Sequence, residues 1–268
     1  MSPKPEDTLA ERFARLFATV CELRERCAWD RAQTLDKLAQ GLVEEAYETL
    51  AAVEDQDAPE LASEFGDLIV QTMFGAVIAA ERGWFTLDQL LEAARAKLIR
   101  RHPHVYGEAD AQSPAEALAS WERVKRAERA ARGHASVLDA IARSVPALTR
   151  AEKLGYRTRE AGFDWRSLHQ VLAKVREELA EIEAAVAAGD TGAAGRELGD
   201  AMLALANAPR FIGHDAEPTL RAACDKFERR FRHLEAAARE RGLELGALDD
   251  AALDALWNEA KLALKEPR

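Results

Sequence analysis

Four acids in this chain occur twice. Glu45, Glu48, Glu64 and Asp67 reappear as Glu178, Glu181, Glu197 and Asp200, each displaced by 133 positions. Acids fill 47 of 268 positions, so four matches at one offset by chance are roughly a one-in-a-thousand event. The surrounding words agree. "LVEEAYETL" answers to "VREELAEIE", and "SEFGDLIVQ" to "RELGDAMLA". Downstream, Lys97, Arg100 and Arg101 in "KLIRR" recur as Lys226, Arg229 and Arg230 in "KFERR", and Trp121 and Lys125 recur as Trp257 and Lys261. An internal duplication with its boundary near "RGHAS" (132–136) accounts for all of these. Two repeats are too few for a solenoid, so the expectation is two tandem domains, 1–134 and 135–268.

Each half reads as helices joined by short loops. Leu42, Val43, Ala46, Tyr47 and Leu50 recur at helical spacing. "EDQDAP" breaks that helix, and a second runs from about Glu60 to Arg82. Thr86 with Gln89 forms a capping-box pattern opening a third. Ser113, Pro114 and Glu116 open a fourth, with proline at the first helical position. In the second half Ser167 with Gln170 opens the acid-bearing helix, and "AAGDTGA" turns it into the next. No segment alternates convincingly as a strand does. The 15 glycines and 9 prolines are few for a turn-rich β fold. The fold class expected is all-α, built of helical bundles.

Glu45 and Glu48 are three apart and share a helix face, as do Glu64 and Asp67. A short connection makes the two helices antiparallel neighbours, so both pairs can converge on one point. Four converging carboxylates without a counter-ion repel one another or take up protons; a divalent cation removes that penalty. Carboxylates without His or Cys suit a hard ion such as Mg²⁺, with Mn²⁺ as a substitute. A di-iron bundle needs Glu-x-x-His on two helices, and neither repeat has it. The basic turns at Lys97, Arg100 and Arg101 and at Lys226, Arg229 and Arg230 add cations beside an acid-bound metal, a combination suited to polyphosphate.

Other classes recede. A net charge of −10 repels a phosphate backbone, so nucleic-acid binding is not expected. Three cysteines, Cys21, Cys27 and Cys224, without metal spacing fit reduced, mostly buried thiols in a cytoplasmic protein. The first residues hold no apolar core of signal-peptide type. The longest apolar stretch, Leu68 to Ala80, is broken by Gln71 and Thr72 and is too short to span a bilayer. P-loop, nucleophile-elbow and H-E-x-x-H patterns are absent from the sequence.

E-E-x-x-E, then E-x-G-D, then K-x-x-R-R resembles the MazG nucleoside triphosphate pyrophosphohydrolases. "AWDRAQT" (28–34), "RRHPHVYG" (100–107), "PALTRAEKL" (146–154) and "GFDW" (162–165) are similar to further signatures of that family, and the resemblance covers nearly the whole chain, its tandem arrangement included. It implies an all-α fold related to dimeric dUTPases, and Mg²⁺-dependent hydrolysis of nucleoside triphosphates to monophosphate and pyrophosphate. It also implies a homodimer whose four-helix bundles carry the sites, and a role in nucleotide-pool cleaning or stress tuning.

By position, the resemblance makes Glu45, Glu48, Glu64 and Asp67 metal ligands of the first domain, and Glu178, Glu181, Glu197 and Asp200 those of the second. It makes Lys226, Arg229 and Arg230 phosphate contacts, with Lys97, Arg100 and Arg101 their first-half equivalents. Trp257 matches a position associated with the base, and is equally readable as a packing residue. Glu44 and Glu177, beside the ligands, are candidate general bases. His102 and His104 read as a helix-end cap and packing pair rather than as ligands. The chain departs from the family pattern at Ala28, where proline is usual, and at Cys224, where asparagine is. It departs again at Pro209, expected to interrupt and kink a helix. A nucleotide-binding regulator with one or both sites degenerate, and a narrower dUTPase-like enzyme, are the alternatives.

Overall fold

The computed structural model of the chain describes residues 7–131, 133, 135–139 and 141–264. Among them are twelve α-helices, two short 3-10 turns and no strand, as an all-α fold requires. They divide into two units, one ending at Glu128 and the other starting at Arg129. Arg132 and His134 of the expected linker lie outside the described residues.

In the first unit α1 spans Leu9–Arg26, α2 Ala28–Arg31, α3 Leu35–Glu54, α4 Ala58–Glu81, α5 Leu87–Arg101 and α6 Pro103–Tyr106; α7, Pro114–Ala131, begins in it and runs past the boundary at Glu128. Side-chain oxygens start the longer helices of this unit. Thr8 and Glu11 form a capping box on α1, and Thr86 and Gln89 form the one expected on α5. Thr34 caps α3, and Asp57 accepts from the Glu60 N–H at 3.1 Å to cap α4. Between α3 and α4 the chain reverses over residues 55–57, with Asp57 N–H donating to Ala52 O at 3.1 Å. α3 and α4 therefore lie antiparallel, and α1 packs on α4. Val20, Leu38, Met73, Phe74 and Ile78 form the buried core. Each fully buried apolar side chain stabilises by about 1.5–3 kcal/mol, so this cluster, drawn from α1, α3 and α4, anchors the hairpin.

Gln56, in that reversal, has φ 55°. Its match in the second unit is Gly189, at φ 74°. Only glycine takes the left-handed region without a Cβ penalty. Gln56→Gly is expected to raise the first unit's stability by roughly 0.5–1 kcal/mol in thermal denaturation. A loss would show that the Gln56 side chain itself supports the turn.

In the second unit α8 spans Ala147–Glu160, α9 Leu168–Ala187, α10 Thr191–Ala206, α11 Ala216–Glu240 and α12 Asp250–Ala263. Ser167 caps α9, and Asp190 accepts from Ala193 N–H at 2.8 Å to cap α10. α9 and α10 form the matching hairpin, α8 packs on α10 and α11, and α11 packs on α12. Asp215 makes no side-chain cap on α11; the carboxylate of Glu152, from α8, accepts the Ala216 N–H instead. Ala151, Ala206 and Ala216 form one buried cluster and Leu234, Ala238, Leu256 and Ala260 another. Alanines bring these helices close together, and Gly155 shows how close. A Cβ there would run into the Asn207 carboxamide, 2.7 Å from its Cγ. Asn207 is buried and cannot swing into solvent. Gly155→Ala is expected to cost about 1–3 kcal/mol by overpacking, and Asn207→Ala in the same chain to restore part of it, both read from the melting temperature.

Three expectations change. Pro209 does not kink a helix: α10 ends at Ala206, with Asn207 at its C-cap, and Pro209 begins a 3-10 turn, Pro209–Ile212. A proline cannot continue the hydrogen-bond ladder, so the chain stops the helix before it. Cys224 is exposed, whereas Cys21 and Cys27 are half-buried; all three are free thiols. α4 is longer than its apolar stretch. At 24 residues it is long and apolar enough, by length and composition alone, to cross a membrane. Here it packs on α1 and α3, with Met73, Phe74, Ile78 and Ala79 buried.

Candidate functional site

The antiparallel hairpins bring the acids together in both units. In the first, one carboxylate oxygen from each of Glu45, Glu48 and Glu64 lies within 4.8 Å of the other two. In the second, Glu178, Glu197 and Asp200 do the same. Each trio draws on both helices of its hairpin. Asp67 lies outside the first trio and Glu181 outside the second, so each expected quartet is three acids with a neighbour.

Burial sharpens the point. Glu64 is 7% exposed and Glu178 is 2% exposed, and one oxygen of each, Oε2, is buried without a hydrogen-bond partner. A buried, unpaired carboxylate oxygen is costly. Burial pushes the Glu64 carboxyl above its ordinary value, and the charges of Glu48, Glu60, Glu45 and Asp67 push it further. Glu181 is raised in the same way, by desolvation and then by Glu178 and Glu197, with Lys174 opposing. Among the described residues no Lys or Arg pairs with Glu45, Glu48 or Glu64. An all-oxygen donor set of this kind, one member of which carries a buried oxygen without a partner, fits a hard divalent cation.

The second trio has a neighbour that the first lacks. The Lys174 ammonium lies 2.5 Å from Glu178 Oε1 and 2.6 Å from Glu177 Oε1. These two contacts hold the Lys174 proton well above its ordinary range. The signal present in the sequence is lysine four residues before glutamate on one helix. Glu177, a candidate base, is thus paired. Glu44, its counterpart, is exposed and lines a cavity of about 300 Å³ with Trp29, Asp30, Gln40 and Gln71.

The basic turns differ as well. Arg100 and Arg101 both bind Glu128 of α7, at 2.6 and 2.7 Å, and hold its carboxyl below the ordinary range. Arg101 and Lys125 also lie against the Trp121 ring, at 5.9 and 3.7 Å. In the register that matches Trp121 with Trp257, the place of Glu128 is taken by Leu264. Lys226, Arg229 and Arg230 lie on α11, where Arg230 Nε is buried without a partner. Trp257 packs on the Leu234–Leu256 cluster, its ring 5.2 Å from Phe227. His102 is the C-cap residue of α5, its Nδ1 2.6 Å from Leu98 O and its ring 5.6 Å from that of His104.

Outside the acids, apolar residues stay uncovered at matched places: Phe65 and Ile69 on α4, Leu198 and Met202 on α10. In the second unit an open apolar groove of about 870 Å³ runs between α8, α10 and α11, with Met202, Leu205, Pro209 and Leu220 in its walls.

The chain is similar to known proteins along most of its length. The family model of the MazG nucleotide pyrophosphohydrolase domain matches residues 33–106, the stretch that holds α3, α4 and α5. A nucleoside triphosphate pyrophosphohydrolase of Escherichia coli is 40% identical over 92% of this chain and 96% of its own. The nucleoside triphosphate pyrophosphohydrolase/pyrophosphatase MazG of Thermotoga maritima is 36% identical over 93% of this chain and 95% of its own.

Proposed function

The chain belongs to the MazG nucleotide pyrophosphohydrolase family, and from that we propose that it cleaves nucleoside triphosphates at the α-phosphorus, releasing monophosphate and pyrophosphate with Mg²⁺. The enzyme class follows from relatives that match almost end to end. The observation that carries the metal and the cleavage chemistry is the pair of acid trios, each including a buried glutamate with an oxygen that has no partner.

In this reading Glu45, Glu48 and Glu64, with Asp67 beside them, hold the ion in a first domain, 1–134. Glu178, Glu197 and Asp200, with Glu181 beside them, hold it in a second, 135–268. The ion, Mg²⁺ or Mn²⁺, supplies charge neutralisation on the triphosphate and a more acidic bound water. The carboxylates fix where that charge sits. Glu44 and Glu177 are the candidate acceptors of the water proton, and Lys226, Arg229 and Arg230 the cations that bind the departing pyrophosphate. Trp257 is the candidate wall for the base.

One observation favours the alternative for the first unit alone. Its matching arginines, Arg100 and Arg101, pair with Glu128, so in this reading the first site would offer a triphosphate fewer cations. The second unit is then the hydrolase and the first a degenerate, metal-binding module. The matched exposed residues Phe65, Ile69, Leu198 and Met202 support pairing of two copies, each hairpin completing a four-helix bundle. A cytoplasmic role in clearing nucleotide pools accords with this activity.

Product analysis tests the proposal. The protein, a nucleoside triphosphate and Mg²⁺ are expected to yield monophosphate and pyrophosphate in equal amounts, and to yield neither with EDTA. Diphosphate and orthophosphate would place the cleavage elsewhere.

A further inference from the structure

The two acid sites are near-copies with one charged difference. Aligned at the offset of 133, the place of Lys174 in α9 is held in α3 by Gly41. Lys174 is one turn before Glu178, and its ammonium lies on the carboxylate that is buried most deeply in the second trio. In the first unit a side chain at that place has little room: a Cβ on Gly41 would stand 3.0 Å from Gln71 Nε2. The match of Gln71 is Ala204, which is buried and small. A side chain at Gly41 would make Gln71 give way, whereas the matched place in the second hairpin holds the small Ala204.

We infer that Lys174 is a built-in counter-ion of the second site, which a divalent cation must displace, so that the first site binds the free metal more tightly than the second. The inference rests on the reading of both trios as metal sites. A cation bound at Glu178 competes for the same oxygens with the Lys174 ammonium, and the second site pays for metal entry by breaking that contact. At the first site Glu64 has no such occupant, and the ion meets only uncompensated acids. The difference is one of charge: Lys174 already contacts Oε1 of Glu178 while Oε2 remains unpartnered.

The test uses the full chain and Mn²⁺ alone, without nucleotide, with bound and free ion counted by electron paramagnetic resonance. Glu64→Gln leaves the second site to be measured, and Glu197→Gln the first. The first site is expected to bind Mn²⁺ more tightly. In the Glu64→Gln background Lys174→Ala is expected to tighten second-site binding about two- to fivefold, the scale of a half-exposed ion pair. Lys174→Arg is expected to leave it unchanged. A gain of affinity cannot arise from a misfolded chain. In the reciprocal experiment Gly41→Lys with Gln71→Ala, in the Glu197→Gln background, is expected to weaken the first site by a similar factor. Unchanged second-site affinity in Lys174→Ala, or equal tightening in Lys174→Arg, would overturn the inference and leave the metal reading intact. Failure of either unit to retain Mn²⁺ would overturn the metal reading and the inference together.

Discussion

Glu197→Gln lowers Mg²⁺-dependent pyrophosphate release by at least about a hundredfold, the loss typical of removing one preorganised electrostatic contact at a reacting phosphoryl group, while Glu64→Gln leaves most of it. That is the expected result if the second unit carries the chemistry. Glu197 sits in a trio whose chain also supplies Lys226, Arg229 and Arg230, with Leu264 where the first half has Glu128. Glu64 sits in a trio whose matching arginines bind Glu128 at 2.6 and 2.7 Å. The measurement is initial rate of pyrophosphate release, with circular dichroism to confirm that both variants keep their helices. Equal loss in the two variants would mean that both trios turn over. Loss in Glu64→Gln alone would reverse the assignment.

The same substitution has a second expected effect, on stability. Without metal at neutral pH, Glu64→Gln raises the melting temperature, and it removes the first site's share of the gain that Mg²⁺ gives by binding the native state. The cause is the raised carboxyl of Glu64, from burial first and from Glu48, Glu60, Glu45 and Asp67 next. A group whose folded value is raised binds its proton more readily in the native state. Its penalty is absent below the unfolded value and sets in as pH climbs through the folded one. Wild type and Glu64→Gln therefore converge as pH falls towards the ordinary carboxylate range. Glu128 behaves oppositely. Arg101 and then Arg100 hold it low, so its stabilisation is present above the unfolded value and is lost as pH falls through the folded value. An acid titration of both proteins should show convergence first and shared loss later. A Glu64→Gln variant no more stable than wild type at neutral pH would show that the buried oxygen has found a partner.

Helix starts were legible because they rest on local chemistry. Thr86 with Gln89 and Ser167 with Gln170 cap the helices they were expected to open. The hairpins were legible from the acid spacing and the short "EDQDAP" and "AAGDTGA" turns. Less legible was which three acids of each four converge. Asp67 and Glu181 share a face with their neighbours, but how deep each side chain lies between two helices depends on tertiary packing, which spacing alone does not report. Glu128 escaped notice because its partners lie 27 and 28 residues away. Pro209 was visible as a helix breaker; that the helix would stop rather than bend depended on the C-cap at Asn207.

A chain containing two near-copies of one hairpin runs the risk of assembling the wrong pair of helices as it folds. The residues at Gly41 and Gln71, and at their counterparts Lys174 and Ala204, guard against this. In the first copy short Gly41 stands against long Gln71; at the aligned places in the second, the long residue, Lys174, is on the earlier helix and the short one, Ala204, on the later. Joining α3 to α10 would set Gly41 against Ala204 and leave a void; joining α9 to α4 would crowd Lys174 against Gln71. Two hairpins that repeat one pattern thus carry, at one matched place, residues that would disfavour an exchange of partners.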